Sequence, residues 1–276
     1  MNNLTKYFLL IFVALFTTNC EEFLREEPTS FINPATFFQT KQDADAAVIA
    51  GYAQLGGAGF YGAWRDFSWE ECTDDFVKRP LGGTGQLIYH YEAFGPDHGV
   101  PSSIYSTFIG GINTFNVAID GIEGMADFDN KKTLVAEAKY LRAFCYFTLV
   151  RLFGRVPLLT KSLSANEVRE IPRSNTTDEI YNLIISDLEA GTTDLWESAP
   201  APGRATKWAA MSLLSKVHLT LQNWSEAAEL AKQVIDESPH TLLPVYKDIF
   251  DEDNENNAES IYEVQYLINT DKANQV

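Results

Sequence analysis

The sequence predicts a mostly α-helical fold: a superhelix of tetratricopeptide-like helix pairs with one long irregular loop region rich in aromatic residues. Over residues 101–240, apolar residues recur at spacings of three and four, the period of helices that bury one face. Small residues and a terminal proline in residues 211–239 fall where tetratricopeptide helices approach closely. Residues 56–100 are instead crowded with glycines and aromatic rings, which break any long helix. On periodicity alone, an ordinary helical bundle is the alternative.

The composition is that of a folded, acidic protein. Of 276 residues, 45% are hydrophobic and 13% aromatic, so the chain can bury a core and is not compositionally disordered. The net charge of −17 argues against nucleic acid as a partner, because no basic patch exists to displace the counterions of phosphates. The same charge disfavours docking on anionic lipid headgroups and suits an uncharged ligand.

The N-terminus, residues 1–19, is predicted to be a signal peptide. Its apolar run, residues 7–16, is too short to cross a bilayer, which needs roughly 20 residues. Cys20 follows, and we expect it to be the acylated first residue of a bacterial lipoprotein, since acyl chains anchor a protein without a transmembrane helix. Thr17 stands where such signals usually carry Leu, so an ordinary secretory signal is the alternative. Residues 20–40 are interpreted as the lipidated Cys and an extended leader.

Two helices are predicted around the irregular segment. The first begins at Thr40, with Asp43 three residues later in the pattern of a helix start. The second follows residue 101, and its apolar positions lie three and four residues apart: Ile104, Phe108, Ile112, Phe115 and Ile119.

The stretch 137–159 predicts a helix that is packed on two sides, because its apolar arc is unusually wide. Gly154 ends this helix and Pro157 prevents its continuation. Cys145 within it is interpreted as a small hydrophobic residue, with a disulfide to Cys72 as the alternative in an oxidising compartment. One stripe contains Leu134, Ala138, Leu141, Cys145, Leu149 and Leu152, and the second contains Tyr140, Phe144 and Phe147.

Three further helices are predicted from their starts, two of them as capping boxes in which each side chain satisfies the other's backbone N–H. The starts are Thr176 with Glu179, Thr206, and Asn223 with Glu226. Trp208 and Trp224 lie in these helices and are expected in the core, and Pro239 follows the last helix. Residues 261–267 alternate apolar and polar side chains and form the best predicted strand, with no partner strand in view.

Three stretches follow one another in the chain: EAKYLRAFCYFTLVRLFGRVPLLT, IPRSNTTDEIYNLIISDLEAG and GRATKWAAMSLLSKVHLTLQNWSEAAELAKQVI. Their order and spacing, with the leader after Cys20, resemble the SusD/RagB family of Bacteroidetes outer-membrane lipoproteins. The resemblance covers nearly all of the chain after the signal peptide. Family members are considerably longer, so residues 41–276 are interpreted as the N-terminal portion of a SusD-like helical domain, truncated at its C-terminus.

The resemblance implies a nutrient-binding lipoprotein, with no catalysis and no cofactor. Such a protein is lipid-anchored in the outer membrane at the cell surface and sits over a SusC-type TonB-dependent transporter. It delivers oligosaccharides or other nutrients. The helix pairs are expected to pack on the transporter, and the loop-rich residues 56–100 are expected to face the ligand.

Ligand contacts are therefore expected within residues 56–100. Sugar binding needs flat apolar faces to stack on pyranose rings and fixed donors and acceptors for hydroxyls. Trp64, Trp69, Tyr89 and Tyr91 could supply the faces, and Arg65, Arg79 and Asp66 the polar partners. About half of the rings in this segment are expected only to cover the helical layer.

Other chemistries are weaker alternatives. The acidic pairs Glu70–Glu71 and Asp74–Asp75 could in principle hydrolyse a glycosidic bond, but neighbours by chance are expected among 38 acidic residues. The four histidines show no metal-ligand spacing, and the acidic run 251–257 lacks the turn Gly and closing Glu of a calcium loop. A periplasmic tetratricopeptide scaffold without a small ligand is the alternative function, and a secreted glycosidase is the third.

Overall fold

A computed structural model describes residues 37–57, 59–61 and 99–266, without the side chain of Val100. These ranges contain helices and no strand, and none of their helices is long and apolar enough to cross a bilayer. Two short 3-10 helices, Tyr246–Phe250 and Glu252–Asn254, follow the last α-helix. The α-helices are α1 (Lys41–Leu55), α2 (Gly99–Glu123), α3 (Lys131–Phe153), α4 (Ala165–Glu170), α5 (Thr177–Asp194), α6 (Lys207–Thr220) and α7 (Trp224–Glu237).

The long helices pack in chain order around α3. Helix α3 lies between α2 and α5, α5 packs on α6, and α6 packs on α7. Helix α1 lies against both α2 and α3. This stack of helix pairs is the mostly α, tetratricopeptide-like arrangement that the apolar period predicts.

Helix α3 is buried on two sides, as its wide apolar arc predicts. Leu141 in the first stripe and Tyr140 in the second are both within 2% of complete burial. Leu152 departs from the prediction: it is 39% exposed, because it lies in the last turn before the helix ends. Gly154 ends α3 with a φ of 66°, a conformation that glycine adopts without a steric penalty. Cys145 is a buried thiol within α3.

A buried ion pair ties α3 to its two neighbours. The Arg142 guanidinium donates to both carboxylate oxygens of Asp187 on α5, from Nε at 2.8 Å and Nη2 at 2.7 Å. Its Nη1 donates to Asn116 Oδ1 on α2 at 2.6 Å. Burial raises the pKa of Asp187 above its ordinary value, and Arg142 opposes that rise without cancelling it. The bidentate geometry offsets the cost of burying both charges.

The loop after α3 is fixed by polar side chains from the helices below it. Tyr146 Oη accepts a hydrogen bond from the Leu159 N–H at 2.6 Å and donates to the Pro157 carbonyl at 3.1 Å. Asn113 on α2 donates to the Leu163 carbonyl at 2.8 Å and accepts from the Leu163 N–H at 3.0 Å. The loop lacks regular secondary structure, so these side chains satisfy backbone groups that a helix would satisfy internally.

All four predicted helix starts agree with the structure, and two of them also form capping hydrogen bonds. The N-caps of α1, α5, α6 and α7 are Thr40, Thr176, Thr206 and Asn223. Thr40 and Asp43 form a complete capping box at α1, with the Thr40 N–H donating to Asp43 at 2.7 Å. Thr206 caps α6 by accepting from the Ala209 N–H at 3.3 Å. The capping bonds at these two starts are confirmed.

The other two capping boxes are wrong. Glu179 accepts hydrogen bonds from the backbone and side chain of Asn175, at 3.2 and 3.3 Å, so its partner lies one residue earlier than Thr176. Asn223 makes no capping bond, because its side-chain amide lies 3.1 Å from the ring nitrogen of His218 instead. In both cases a nearby polar group competes for the same atoms.

Two further expectations also differ from the structure. Trp208 is buried as predicted, but Trp224 is 61% exposed, because it opens α7, the last helix in the described stack. Residues 261–265 are extended but pair with no described strand, so the strand prediction is wrong for them. The predicted strand's last residue, Leu267, lies outside the described residues.

Replacing Arg142 by Met should lower the free energy of unfolding by about 3–5 kcal/mol, because Asp187 would stay buried without its cation. Chemical denaturation followed by circular dichroism measures the change. The matched control is Lys232→Met, which removes the solvent-exposed ion pair with Asp236 on α7 and should leave unfolding unchanged. Equal losses in the two variants would contradict a structural role for the buried pair.

Candidate functional site

The residues predicted to contact ligand lie outside the described residues, as do Cys20 and the acidic pairs at 70–71 and 74–75. This applies to Trp64, Arg65, Asp66, Trp69, Arg79, Tyr89 and Tyr91. The structure does describe the stack of helices α1–α7, here called the frame, from which residues 56–100 depart and to which they return. It also describes the charged networks and cavities beside that frame.

The irregular segment leaves the frame through Phe60. This ring is 5% exposed, and its centroid lies 4.8 Å from that of Phe108 on α2. The backbone of Gly111 passes directly beneath it, so that a Cβ there would overlap the Phe60 ring. Gly111 is therefore required for close approach, whereas neighbouring Gly110 has open space around it.

The next ring, Tyr61, is also structural. It packs on Phe144 of α3 with a centroid distance of 5.4 Å, and its hydroxyl lies 3.2 Å from Thr148 Oγ1. Tyr140 and Tyr262 complete an aromatic cluster around Phe144, and burial raises the pKa of both of their hydroxyls. Phe60 and Tyr61 thus cover the helical layer, as expected for part of the segment.

A second, partly buried charge network joins α1, α3 and the loop before α6. Arg204 donates to Glu137 on α3, from Nε at 2.8 Å and from Nη2 at 2.6 Å, and to Asp45 on α1 at 2.6 Å. Tyr52 Oη donates to Glu137 at 2.9 Å and accepts from the Ala205 N–H at 2.9 Å. Two carboxylates therefore face one guanidinium, and a tyrosine hydroxyl completes the set.

The charges in this network shift the pKa values of its members. Burial works to lower the pKa of Arg204, but Glu137 and Asp45 outweigh it, so the pKa lies above its ordinary value. Burial, with the charge of Glu137, raises the pKa of Tyr52 well above its ordinary value. Arg204 therefore stays cationic and Tyr52 stays a neutral hydrogen-bond donor. These protonation states suit a structural ion-pair network and not proton transfer.

Two open cavities flank the loop that carries Arg204. The first, about 360 Å³, lies between residues 197–206 and residues 256–263, with Pro239 and His240 at its edge. The second, about 400 Å³, is an apolar cleft between α1, residues 201–204 and residues 262–265. Gly203, with a φ of 78°, lines both cavities. It lies so close to Gln265 that a Cβ would overlap that side chain.

Within the described ranges, no group of three or more His, Cys, Asp or Glu side chains is arranged to hold a metal. The acidic run at 251–257 instead forms a short turn, in which Asp251 Oδ1 accepts from the Asp253 N–H at 3.0 Å. Its carboxylates are mostly exposed to solvent.

The sequence analysis did not predict the two charge networks, one buried and one partly buried. Asn116, Glu137, Arg142 and Asp187 were hidden within helices whose apolar period was the dominant signal. The signal was present nonetheless: α3 is apolar on so wide an arc that Glu137 and Arg142 have little room to face water. A charge forced inward must find a partner, which predicts a buried ion pair.

The family comparison covers most of this frame. The profile of a SusD-like family, described as starch-binding and associating with the outer membrane, matches residues 58–219. SusD-like protein P25 of Formosa agariphila is 31% identical over 96% of this chain and 52% of its own length. The starch-binding protein SusD of Bacteroides thetaiotaomicron is 30% identical over 58% of this chain and 29% of its own. The chain spans about half the length of the curated relatives it matches first.

Solved structures agree with the sequence relatives. A structure described as a laminarin-binding SusD-like protein superimposes with a TM-score of 0.71 at 25% identity, over 81% of this chain and 51% of that one. The family resemblance drawn from the three sequence stretches is therefore confirmed, as is the mostly helical fold.

Replacing Gly111 by Ala should lower the free energy of unfolding by about 1–3 kcal/mol, because the Phe60 ring would have to move out of a packed site. It should also speed proteolytic cleavage within residues 56–100. Gly110→Ala is the matched control, and it should keep or raise stability by up to about 1 kcal/mol, since Ala favours the helix. The anchoring role of Phe60 is excluded if both variants behave alike.

Proposed function

Because this chain belongs to the SusD-like family, we propose that it is a cell-surface lipoprotein that binds an oligosaccharide and delivers it to a SusC-type TonB-dependent transporter. Binding is an equilibrium capture followed by handover, without a chemical step. The alternative ligand is another nutrient, and the alternative function is a periplasmic interaction scaffold.

The observation that carries the proposal is the family match over residues 58–219, which contains every predicted ligand-contact residue. The family is described as starch-binding, and a structural neighbour is described as binding laminarin. In this chain, Trp64, Trp69, Tyr89 and Tyr91 would stack on sugar rings, and Arg65 and Arg79 would hydrogen-bond to hydroxyls.

The described frame supports this role. The segment leaves it at Phe60 and Tyr61, both packed on long helices, and returns at Gly99, where α2 begins. Binding residues on loops gain precision when the loop ends are held by a rigid scaffold. The ion pairs of Arg142 and Arg204 fix the helices that hold these ends.

The transporter is proposed to meet the last helices of the stack and the segment after them, where large apolar side chains are exposed to solvent. Exposed apolar groups of this kind are typical of protein interaction surfaces. Trp224 on α7 is the largest of them. The other exposed side chains are Leu219, Ile235, Leu242, Val245, Tyr246 and Phe250.

Trp64→Ala and Trp69→Ala should each weaken oligosaccharide binding by about tenfold, as expected from losing one stacking contact of roughly 1.4 kcal/mol. Isothermal titration against laminarin and starch oligosaccharides measures the loss. Trp224→Ala is the matched control, because it removes an exposed tryptophan from the stack and should leave affinity unchanged.

The reverse should hold for the transporter. Trp224→Glu should reduce co-purification with the SusC-type protein, and Trp64→Ala should not. Failure of every saccharide to bind, while a peptide or other nutrient binds, would show that the proposed ligand class is wrong.

Cys20→Ser should abolish incorporation of radiolabelled palmitate and release the protein from the outer membrane, because the acyl chains are the proposed anchor. Cys72→Ser is the control and should remain labelled. Protease treatment of intact cells should digest the unaltered protein. Protection from the protease would support the periplasmic scaffold instead.

A further inference from the structure

A group of exposed arginines lies between α3 and α5 in an otherwise acidic protein. Residues 151–175 contain five basic and two acidic residues, whereas the whole chain has a net charge of −17. Arg151, Arg155 and Arg173, here called the arginine cluster, are all exposed to solvent. Among the described residues, none of the three forms an ion pair with a carboxylate. The arginine cluster is therefore a place where the described surface attracts negative charge.

Two stretches of extended chain place Arg155 beside Arg173. Pro157 and Arg173 form an antiparallel β-bridge, and the Ser174 N–H donates to the Val156 carbonyl at 3.0 Å. Val156 and Ser174 are buried, so the alternation of side chains along extended chain turns Arg155 and Arg173 outward. Diagonal neighbours of this kind have Cα atoms about 7–8 Å apart. Two guanidinium groups thus project from one face.

Arg151 extends the cluster along α3. It lies in the last turn of that helix, and its Cζ stands 5.0 Å from the centre of the Phe147 ring. Burial raises the pKa of the Tyr181 hydroxyl on α5 and the charge of Arg151 opposes that rise, so Arg151 lies near the start of α5. Arg155 lies near the same start, because its Nη1 donates to the Asn175 carbonyl at 3.3 Å. All three arginines therefore lie where α3 ends and α5 begins.

The arginine cluster is close to the point where the irregular segment, residues 56–100, returns to the frame. Burial raises the pKa of the Tyr105 hydroxyl on α2, and the charge of Arg173 opposes that rise. The Tyr105 ring also lies edge-on to Phe153 of α3, with a centroid distance of 5.3 Å. Tyr105 follows Gly99, the first residue of α2, by about 9 Å along the helix axis. A ligand held by the irregular segment is therefore within reach of the arginine cluster.

The guanidinium groups of the cluster still have donors to offer. Each carries five N–H donors in a planar fork that matches the paired oxygens of an oxyanion. The Asn175 carbonyl accepts from one donor of Arg155, and no described group accepts from the guanidinium of Arg151 or Arg173. On a sugar, the groups that fit such a fork best are a carboxylate and a sulfate.

We propose that the arginine cluster binds the carboxylate or sulfate groups of an acidic oligosaccharide while its sugar rings stack within residues 56–100. This inference rests on the proposed function, because it names the substrate class of that same site. The net charge of −17 alone favours an uncharged ligand. Charges more than about 8 Å away are largely screened at physiological ionic strength, however, so the arginines decide what binds beside them.

An anionic membrane fits the arginine cluster less well than an acidic oligosaccharide does. A broad lipid surface would also meet the exposed carboxylates of Glu170 and Asp178, which flank Arg173 in the chain. A narrow oligosaccharide can contact the arginines and leave those carboxylates in water.

The test is isothermal titration of the full chain with matched acidic and neutral oligosaccharides. Oligogalacturonate is compared with its methyl ester, and a sulfated carrageenan oligosaccharide with its desulfated form. At least one acidic form should bind about tenfold more tightly than its neutral counterpart, and added salt should reduce the difference because it screens ion pairs. The two pairs distinguish a carboxylate from a sulfate as the group that is bound.

Arg155→Gln combined with Arg173→Gln should weaken binding of the acidic oligosaccharide about tenfold or more and leave binding of neutral laminarin unchanged. The matched control is Lys216→Gln combined with Lys232→Gln, which removes the same charge from exposed positions on α6 and α7. It should change neither affinity. Circular dichroism should show the same helix content in both double variants, since all four side chains are exposed.

The inference is overturned if acidic and neutral forms bind alike, or if the two double variants behave alike. It is also overturned if loss of the arginines weakens binding to phosphatidylglycerol vesicles and not to saccharide. Binding of laminarin with no preference for acidic sugars would leave the proposed function standing, whereas failure of every saccharide to bind would overturn both.

Discussion

The fold depends on a constraint set by α3: on a helix that is buried on two sides, a charged side chain loses its contact with water and needs a partner of opposite charge. Glu137 and Arg142 both lie on this helix, and each is matched by partners from other elements. Arg142 binds Asp187 on α5 and Asn116 on α2, while Glu137 binds Arg204 from the loop before α6. Apolar packing would tolerate small slips between helices, but bidentate ion pairs would not, so the charges set the register of the stack.

The apolar period predicted the helices well because burial of one face is what holds each helix in place. It also predicted that α3 is packed on two sides, while Gly154 and Pro157 separately predicted where α3 ends. Local polar patterns were less reliable. Glu179 and Asn223 each found a competing partner, and no local pattern indicates which partner is closer. Trp224 was misplaced because burial at the last helix of a stack depends on neighbours that the period does not reveal.

The aromatic residues of the candidate site fall into two groups, those that the structure describes and those whose role is still a prediction. The start of the aromatic segment belongs to the frame, since Phe60 and Tyr61 are packed on α2 and α3. The ligand-facing role of Trp64 and Trp69 remains a prediction. Composition identified the segment as unusual, but stacking on a sugar and stacking on a helix use the same residue types. A ring that stacks on a sugar differs from one that stacks on a helix in its position and orientation, and the neighbouring residues in the sequence do not determine these.

The bond between Arg204 and Asp45 has a consequence for the order in which the chain acquires its shape. These residues are 159 positions apart, so α1 leaves the ribosome long before its fastening exists. Glu137 is also unmatched until Arg204 arrives, and closing so long a loop is entropically slow. Helix α1 can pack its apolar face on α2 and α3 as soon as those helices are made, but the ion pairs of Asp45 and Glu137 form only after residue 204 has been synthesised.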